Sequence, residues 1–548
     1  MIRAGIRTLI VFVLMMTGVT VAQTDTSAVS AQSLPKPAEL EAAGALIGDI
    51  VYDRQNVFDL DNPKENNALY RLANRWHLVT RESVIRNQLL FGTGDPFSAR
   101  LLEESERLLR QNVYFYDATI EPIRYEDDVV DIRVSTRDLW TLMPGLSVSR
   151  SGGKNRSRVS LSERNLLGRG VSLRFSYTDD VDRESASFQF FDRNFGNSWV
   201  SLFGEYSDNS DGDTVDVRLI RPFYALDAKW SAGSTLFDET RTETFYDAGN
   251  EAAEYSADLD LYTAFFGWSR GLRNDWVRRW SVGFVYDSSE FKGVPGGVLP
   301  SLLPVDRKLV YPFAGFELLE DRYEATTNRD QIGRTEDFYM GLRFFTSVGY
   351  AAKVFGADRD ALIYRMELSR GFGSMERKSV LLSSTFSGRI DDGSSANQAL
   401  TLSARFYNQI SDKQLFFVTL EGSAGNNLDL DNFVDLGGDT GLRGYPLRYQ
   451  NGGSKFLATI EHRYFTDWYP FRLARVGGAI FADVGRVWGQ GPTGAQPQGW
   501  LRDVGIGLRL GPTRASGRDV IHIDIAFPLD GDPTIDDVQF LIESKSSF

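Results

Sequence analysis

From Trp140 to Phe548 apolar and polar residues alternate with a period of two. Val171, Leu173, Phe175 and Tyr177 alternate with Ser172, Arg174 and Ser176; Ile521, Ile523, Ile525 and Phe527 alternate with His522, Asp524 and Ala526. Such segments, each of about ten residues and bounded by turn residues, recur to the end of the chain and predict antiparallel strands. Residues 46–137 follow another pattern. Ile50 and Tyr52 begin a strand, and Thr80 is placed to cap a helix through Val84, Ile85 and Leu89 that stops at Gly92. Ser98 is placed to cap a second helix with Leu101, Leu102, Leu108 and Leu109 at helical spacing. Two strands follow, Val113–Ile123 and Val129–Ser135, so the order is β-α-α-β-β, with Asn67–Trp76 as an inserted helical turn or two.

Alternation alone fits a soluble sandwich as well as a membrane barrel. Three features favour the barrel. The segments are long enough, when tilted, to cross a hydrocarbon layer of about 30 Å. Charged residues occupy one face of many strands, as a wet lumen allows and a dry core does not. Aromatic residues gather near segment ends, as in Tyr464, Phe465, Trp468, Tyr469 and Phe471. The expected class is therefore membrane all-β: an antiparallel transmembrane β-barrel over residues 138–548, of about 16 strands and possibly up to 20, since about twenty candidate segments can be marked, behind a small domain at 46–137.

At the N-terminus, Arg3 and Arg7, the apolar run Leu9–Met16 and Thr20-Val21-Ala22 predict a signal peptide over residues 1–22. Residues 23–45, rich in Ser, Thr, Pro and Ala, predict a flexible leader. Cysteine is absent and the histidines are three (His77, His462 and His522), so thiolate metal sites are excluded and no cofactor is expected. A net charge of −14 argues against nucleic acid as a partner. His522 and Asp524 share one strand face and invite an acid–base reading, but no nucleophile accompanies them, and no enzyme activity is expected. The acidic stretches Asp429–Asp435 and Asp208–Asp213 read as solvated loop tips, with divalent-cation binding as the alternative.

Three motifs stand out in the second region. Asn165-Leu166-Leu167-Gly168-Arg169-Gly170 precedes a strand; Leu436-Gly437-Gly438-Asp439-Thr440-Gly441-Leu442-Arg443-Gly444-Tyr445 lies in a long loop, residues 427–453; Phe481-Ala482-Asp483-Val484-Gly485 lies on the following strand. In order and content they resemble the early barrel motif (Asn165, Gly168, Gly170), the inward-folded loop tip (Leu442, Arg443, Gly444, Tyr445) and its lumen partner motif (Phe481, Asp483, Gly485) of the BamA/TamA superfamily, the surface antigen barrels. The domain ahead resembles one POTRA module. Two departures stand beside this: one such module where well-known relatives carry two to five, and no obvious N-terminal plug helix of the kind two-partner secretion transporters carry. The candidate segments, about twenty, also exceed the family's usual sixteen strands.

The resemblance implies a cell outer membrane protein with its POTRA-like domain in the periplasm. It implies outer-membrane lipid and unfolded outer-membrane or secreted polypeptides as partners, and leaves room for accessory lipoproteins or periplasmic proteins. It also implies an Arg443–Asp483 contact. Strand geometry agrees, because Phe481, Asp483 and Gly485 share one face while Ile480, Ala482 and Val484 suit lipid. At ~4 Å and an effective dielectric near 20 such a pair attracts by about 4 kcal/mol before desolvation. Gly441 and Gly444 are expected to permit the turns of the tip.

Barrel closure requires the first strand, with Pro144, Gly145, Ser147 and Ser149, to pair with the last, with Ser544, Lys545, Ser546 and Ser547. That seam is poor in apolar content, so opening there would offer a strand edge to a client. The expected function is outer-membrane protein assembly or polypeptide translocation by strand pairing. The alternatives are a passive or structural barrel, and a two-partner secretion transporter for one dedicated exoprotein.

Overall fold

The computed structural model describes residues 34–294, 297, 303–492, 494, 498–530 and 535–545. The expected signal peptide, residues 23–33 of the leader and Ser546–Phe548 lie outside them. Within them the second region is a closed barrel of twenty strands, running from Leu142–Ser151 to Gln539–Lys545, each antiparallel to its neighbours. Of the two strand numbers that the sequence left, sixteen and twenty, the larger is the one observed. Alternation sorts the faces as the pattern requires. Phe175, Tyr177, Trp268, Phe284, Ile506 and Phe527 are exposed on the outside, while Arg463, Asp483, Arg509 and Asp524 are buried inside. Trp230, Trp268, Trp280 and Phe316 stand side by side on four successive strands. That row forms an aromatic band near the end of the barrel that carries the N-terminal domain, as at a membrane interface.

The N-terminal domain is a three-stranded sheet with helices on it. Leu46–Gln55 pairs parallel with the central strand Val129–Asp138, which pairs antiparallel with Phe115–Glu126. Helix Ala99–Arg110 follows Ser98 and buries Leu102, Leu108 and Leu109; the sheet supplies Ile47, Phe115, Ile120, Val130, Ile132 and Val134 to the same core. Three readings are corrected. Helix Pro37–Ala43 buries Leu40 in that core, so the last part of the leader is not flexible. Ser98 stands at the N-cap of helix Ala99–Arg110 but makes no side-chain capping bond, whereas the inserted helix Ala68–Trp76 is present as expected, with Asn67 accepting from the Tyr70 N–H. Thr80 is not the cap of the short helix Glu82–Arg86; its N–H and hydroxyl donate to the Asp138 carboxylate at 2.7 and 2.9 Å.

A second hairpin was not anticipated at all. Between barrel strands Arg307–Glu320 and Arg343–Ala351, the chain leaves the wall at the domain end and forms Tyr323–Thr327 paired with Thr335–Tyr339, a two-stranded sheet separate from the barrel.

Candidate functional site

The long loop after strand Gln414–Asn426 turns back into the lumen. It is stiffened by its own small sheet, Val434–Leu436 with Gln450–Gly452, and by an apolar cluster of Leu436, Leu442, Tyr445, Tyr449, Leu457 and Val487. Leu442 is fully buried there. Gly485 makes room for it, since a Cβ at that position would lie 2.9 Å from Leu436 and 3.3 Å from Leu442. Gly441 has a φ of +115°, the turn expected of it. Gly444 serves differently: a Cβ would lie 2.6 Å from Asp503 Cβ and 3.1 Å from the Pro528 nitrogen, so glycine is required by close approach.

This packing delivers Arg443 to a carboxylate-lined wall. Its Nε and Nη2 donate to Asp483 Oδ2 and Oδ1 at 2.7 and 2.9 Å, a bidentate pair, and its Nη1 donates to Glu461 Oε1 at 2.8 Å. The guanidinium lies 3.3 Å from the Phe481 ring centroid. Thr459 donates its hydroxyl to Asp483 at 2.7 Å, and the Gly444 N–H donates to Asp503 at 3.0 Å. The Tyr445 hydroxyl donates to the Arg502 carbonyl at 2.9 Å and accepts from the Arg502 N–H at 3.0 Å. The lumen partner motif and the loop-tip motif thus meet residue by residue.

Glu461, Arg463 and Arg509 extend this site, and sequence reading passed over all three. The other oxygen of Glu461 accepts from Arg463 Nε at 2.8 Å, and Arg509 bonds Asp524, whose carboxylate is 3.6 Å from Arg443. Asp524 therefore belongs to an ion-pair network with Arg509 and Arg443. The available signal was parity: Glu461 and Arg463 share a lumen face opposite outward Ile460 and Tyr464. The acidic loop stretch is likewise not a solvated tip. Asp429 accepts from Arg389 at 2.6 and 2.7 Å, and Asp431 from Arg307 at 2.8 and 2.6 Å.

The early barrel motif lies at the other end, in the joint with the N-terminal domain. Asn165 Nδ2 donates to Thr80 Oγ1 at 2.8 Å, and its Oδ1 accepts from the Gly170 N–H at 2.7 Å. The Gly168 carbonyl accepts from the Arg81 N–H at 2.9 Å. Gly168 has a φ of +69°, and a Cβ there would lie 2.7 Å from the Val79 carbonyl oxygen. Behind Thr80, burial pushes the Asp138 carboxyl up to about 7, with His77 Nε2 3.8 Å away.

The seam between first and last strands is thin. Leu142–Ser151 pairs along its whole length with Lys154–Glu163 on one side. On the other it meets Gln539–Lys545, among the described residues, only at Arg150 opposite Ile542. Leu146 and Val148 on this strand are 78% and 58% exposed. The loop holds the tip of this strand: Ser151 donates to the Gly438 carbonyl at 2.8 Å, and the Leu447 N–H to the Gly152 carbonyl at 3.0 Å.

No family model matches the chain, and no curated protein matches it by sequence. Solved structures similar to it include BamA from Haemophilus ducreyi lacking POTRA domains 1–3, at 12% identity and a TM-score of 0.38 over 91% of this chain and 84% of that one. They also include CdiB from Acinetobacter baumannii, at 12% identity and a TM-score of 0.43 over 91% and 74%. CdiB from Escherichia coli is similar at 13% identity and a TM-score of 0.46 over 91% and 76%.

Proposed function

We propose that the protein sits in the outer membrane with its N-terminal domain in the periplasm, and handles polypeptides there by strand pairing, without catalysis. The observation that carries this reading is the seam. Among the described residues the first strand is paired fully on one side and at one position on the other; backbone donors and acceptors left open at such an edge face the bilayer, where they have no water to bond. An extended client segment satisfies them by adding a strand. Pro144, which lacks an N–H, further weakens regular pairing along that strand. The edge strand Leu46–Gln55 of the N-terminal sheet offers the same kind of pairing before the membrane is reached. Assembly of outer-membrane proteins is the preferred form of this function; transport of one dedicated exoprotein is the alternative.

The test uses the absence of cysteine. Arg150→Cys with Ile542→Cys joins the one observed pair, and antiparallel partners lie within the range a disulfide spans. Photocrosslinkers at Leu146 and Val148 report clients. Adducts with many outer-membrane proteins support assembly, and adducts with one exoprotein support dedicated transport. Oxidation is expected to block delivery of whichever client is captured. Full delivery through the oxidised barrel would remove the seam from the mechanism.

A further inference from the structure

A barrel of this many strands leaves a water-filled channel unless something fills it. The loop tip fills it from one end. From the domain end, hairpin Tyr323–Tyr339 enters, and its turn crosses the lumen. Ile332 is buried among Tyr407, Leu415, Phe417, Phe465, Ala479 and Val520, inward-facing residues of five other barrel strands. Those side chains break the polar-inside rule of a wet barrel, and they share one apolar cluster with Ile332 and Phe338 of the hairpin, whose Phe338 ring lies 5.9 Å from that of Tyr407.

Polar bonds fix the turn. Glu336 accepts the N–H groups of Arg329, Asp330 and Gln331 at 2.9, 2.9 and 3.0 Å. Arg463 donates to the Arg329 carbonyl at 2.8 Å, and Asp330 bonds Arg405. The N-terminal domain holds the same hairpin from below. Arg110 Nε and Nη2 donate to Asp337 at 2.8 and 2.7 Å, and Arg334 Nη2 donates to the Phe115 carbonyl at 2.5 Å. The Tyr116 hydroxyl donates to the Gly333 carbonyl at 2.6 Å, and Thr335 Oγ1 to Asp117 at 2.9 Å.

We propose that this hairpin is a resident plug, and that the seat it occupies is a reception site for an extended polypeptide segment passing from strand Phe115–Glu126 into the lumen. The resident occupant defines the ligand class. It is a short segment with an aliphatic residue for the apolar seat, a basic residue for the Phe115 carbonyl and a carboxylate for Arg110. The reception role rests on the polypeptide-handling reading above; the plug itself does not, and conductance reads it without any client.

The experiment is planar-bilayer recording of the full chain, its variants and a synthetic peptide of residues 323–339. Replacing residues 322–341 by a short turn is expected to give steady conductance where the parent is mostly closed, with open probability rising about tenfold or more, as loss of several hydrogen bonds predicts. The peptide is expected to block that variant, and a scrambled peptide to leave it open. A deletion variant that migrates as a folded barrel yet stays closed would overturn the plug. Equal block by both peptides would overturn the seat and leave the seam mechanism intact. If the deletion does not fold, Asp117→Cys with Thr335→Cys takes its place. Openings that vanish on oxidation and return on reduction support the plug, and openings indifferent to redox state overturn it.

Discussion

Arg443 is buried with three carboxylates and an aromatic ring around it, and its value to the barrel depends on all of them. Removing one member of a buried ion pair leaves the other charged and unpaired, a loss of about 3–5 kcal/mol. Arg443→Ala is therefore expected to destabilise the folded barrel by that order, measured as the urea midpoint for loss of heat-modifiable migration. Arg443→Lys is expected to recover only part, because an ammonium has no planar fork to match the Asp483 carboxylate. The double variant Arg443→Ala/Asp483→Ala is expected to cost clearly less than the two singles summed; strict additivity would show that the two side chains are uncoupled. This pair was legible through the resemblance of the loop-tip and lumen motifs, with which strand parity agrees by putting Phe481, Asp483 and Gly485 on one face. Glu461 was not, because a lumen face tolerates charges anywhere and nothing in the spacing marks one as a bridge.

At the scale of elements, the joint between domain and barrel turns on Asp138 in strand Val129–Asp138. Burial raises its carboxyl to about 7, so the docked state holds a proton that the free carboxyl releases near pH 4. The stability this group contributes is complete below about pH 4 and is lost as pH rises through about 7. His77, which burial holds below its usual range, runs the other way and loses stability as pH falls. Asp138→Asn separates them. The variant cannot ionise but still offers an oxygen to Thr80, so it is expected to be more stable than the parent at pH 8, with the advantage shrinking toward pH 5. The scale is about 1.4 kcal/mol for each tenfold in proton affinity. Hydrogen exchange of Val129–Asp138 and of the Thr80 amide, parent against variant at each pH, reads it; a difference that does not change with pH would contradict the assignment. Legibility differed between elements for a related reason. Helix Ala99–Arg110 announced itself by leucine spacing, whereas Pro37–Ala43 lay in a stretch that reads as leader. Tyr323–Thr327 alternates as a barrel strand does while Thr335–Tyr339 does not, and the shortness of both and the apolar Leu415 and Phe417 at lumen parity set the plug apart.

For the whole molecule, loop tip and plug are not independent closures, because Glu461 stands between them. One of its oxygens takes Arg443 from the tip; the other takes Arg463, which in turn holds the Arg329 carbonyl of the plug. Asp483, by contrast, bonds the tip and its own neighbouring strand. The two carboxylates are equally buried, so their neutral variants differ in connectivity rather than in burial. Glu461→Gln is expected to loosen both ends of the lumen, and Asp483→Asn only the loop. Hydrogen exchange resolves the two regions in one measurement, residues 434–452 for the loop and 323–339 for the plug. Losing a hydrogen bond to a charged group costs about 1.5–3 kcal/mol, so exchange in an affected region should quicken roughly tenfold to a hundredfold. Faster exchange at the plug in Glu461→Gln but not in Asp483→Asn would establish a path by which events at the far mouth reach the domain-side mouth. Were the plug equally protected in both variants, the two closures would act separately, and opening one would say nothing of the other.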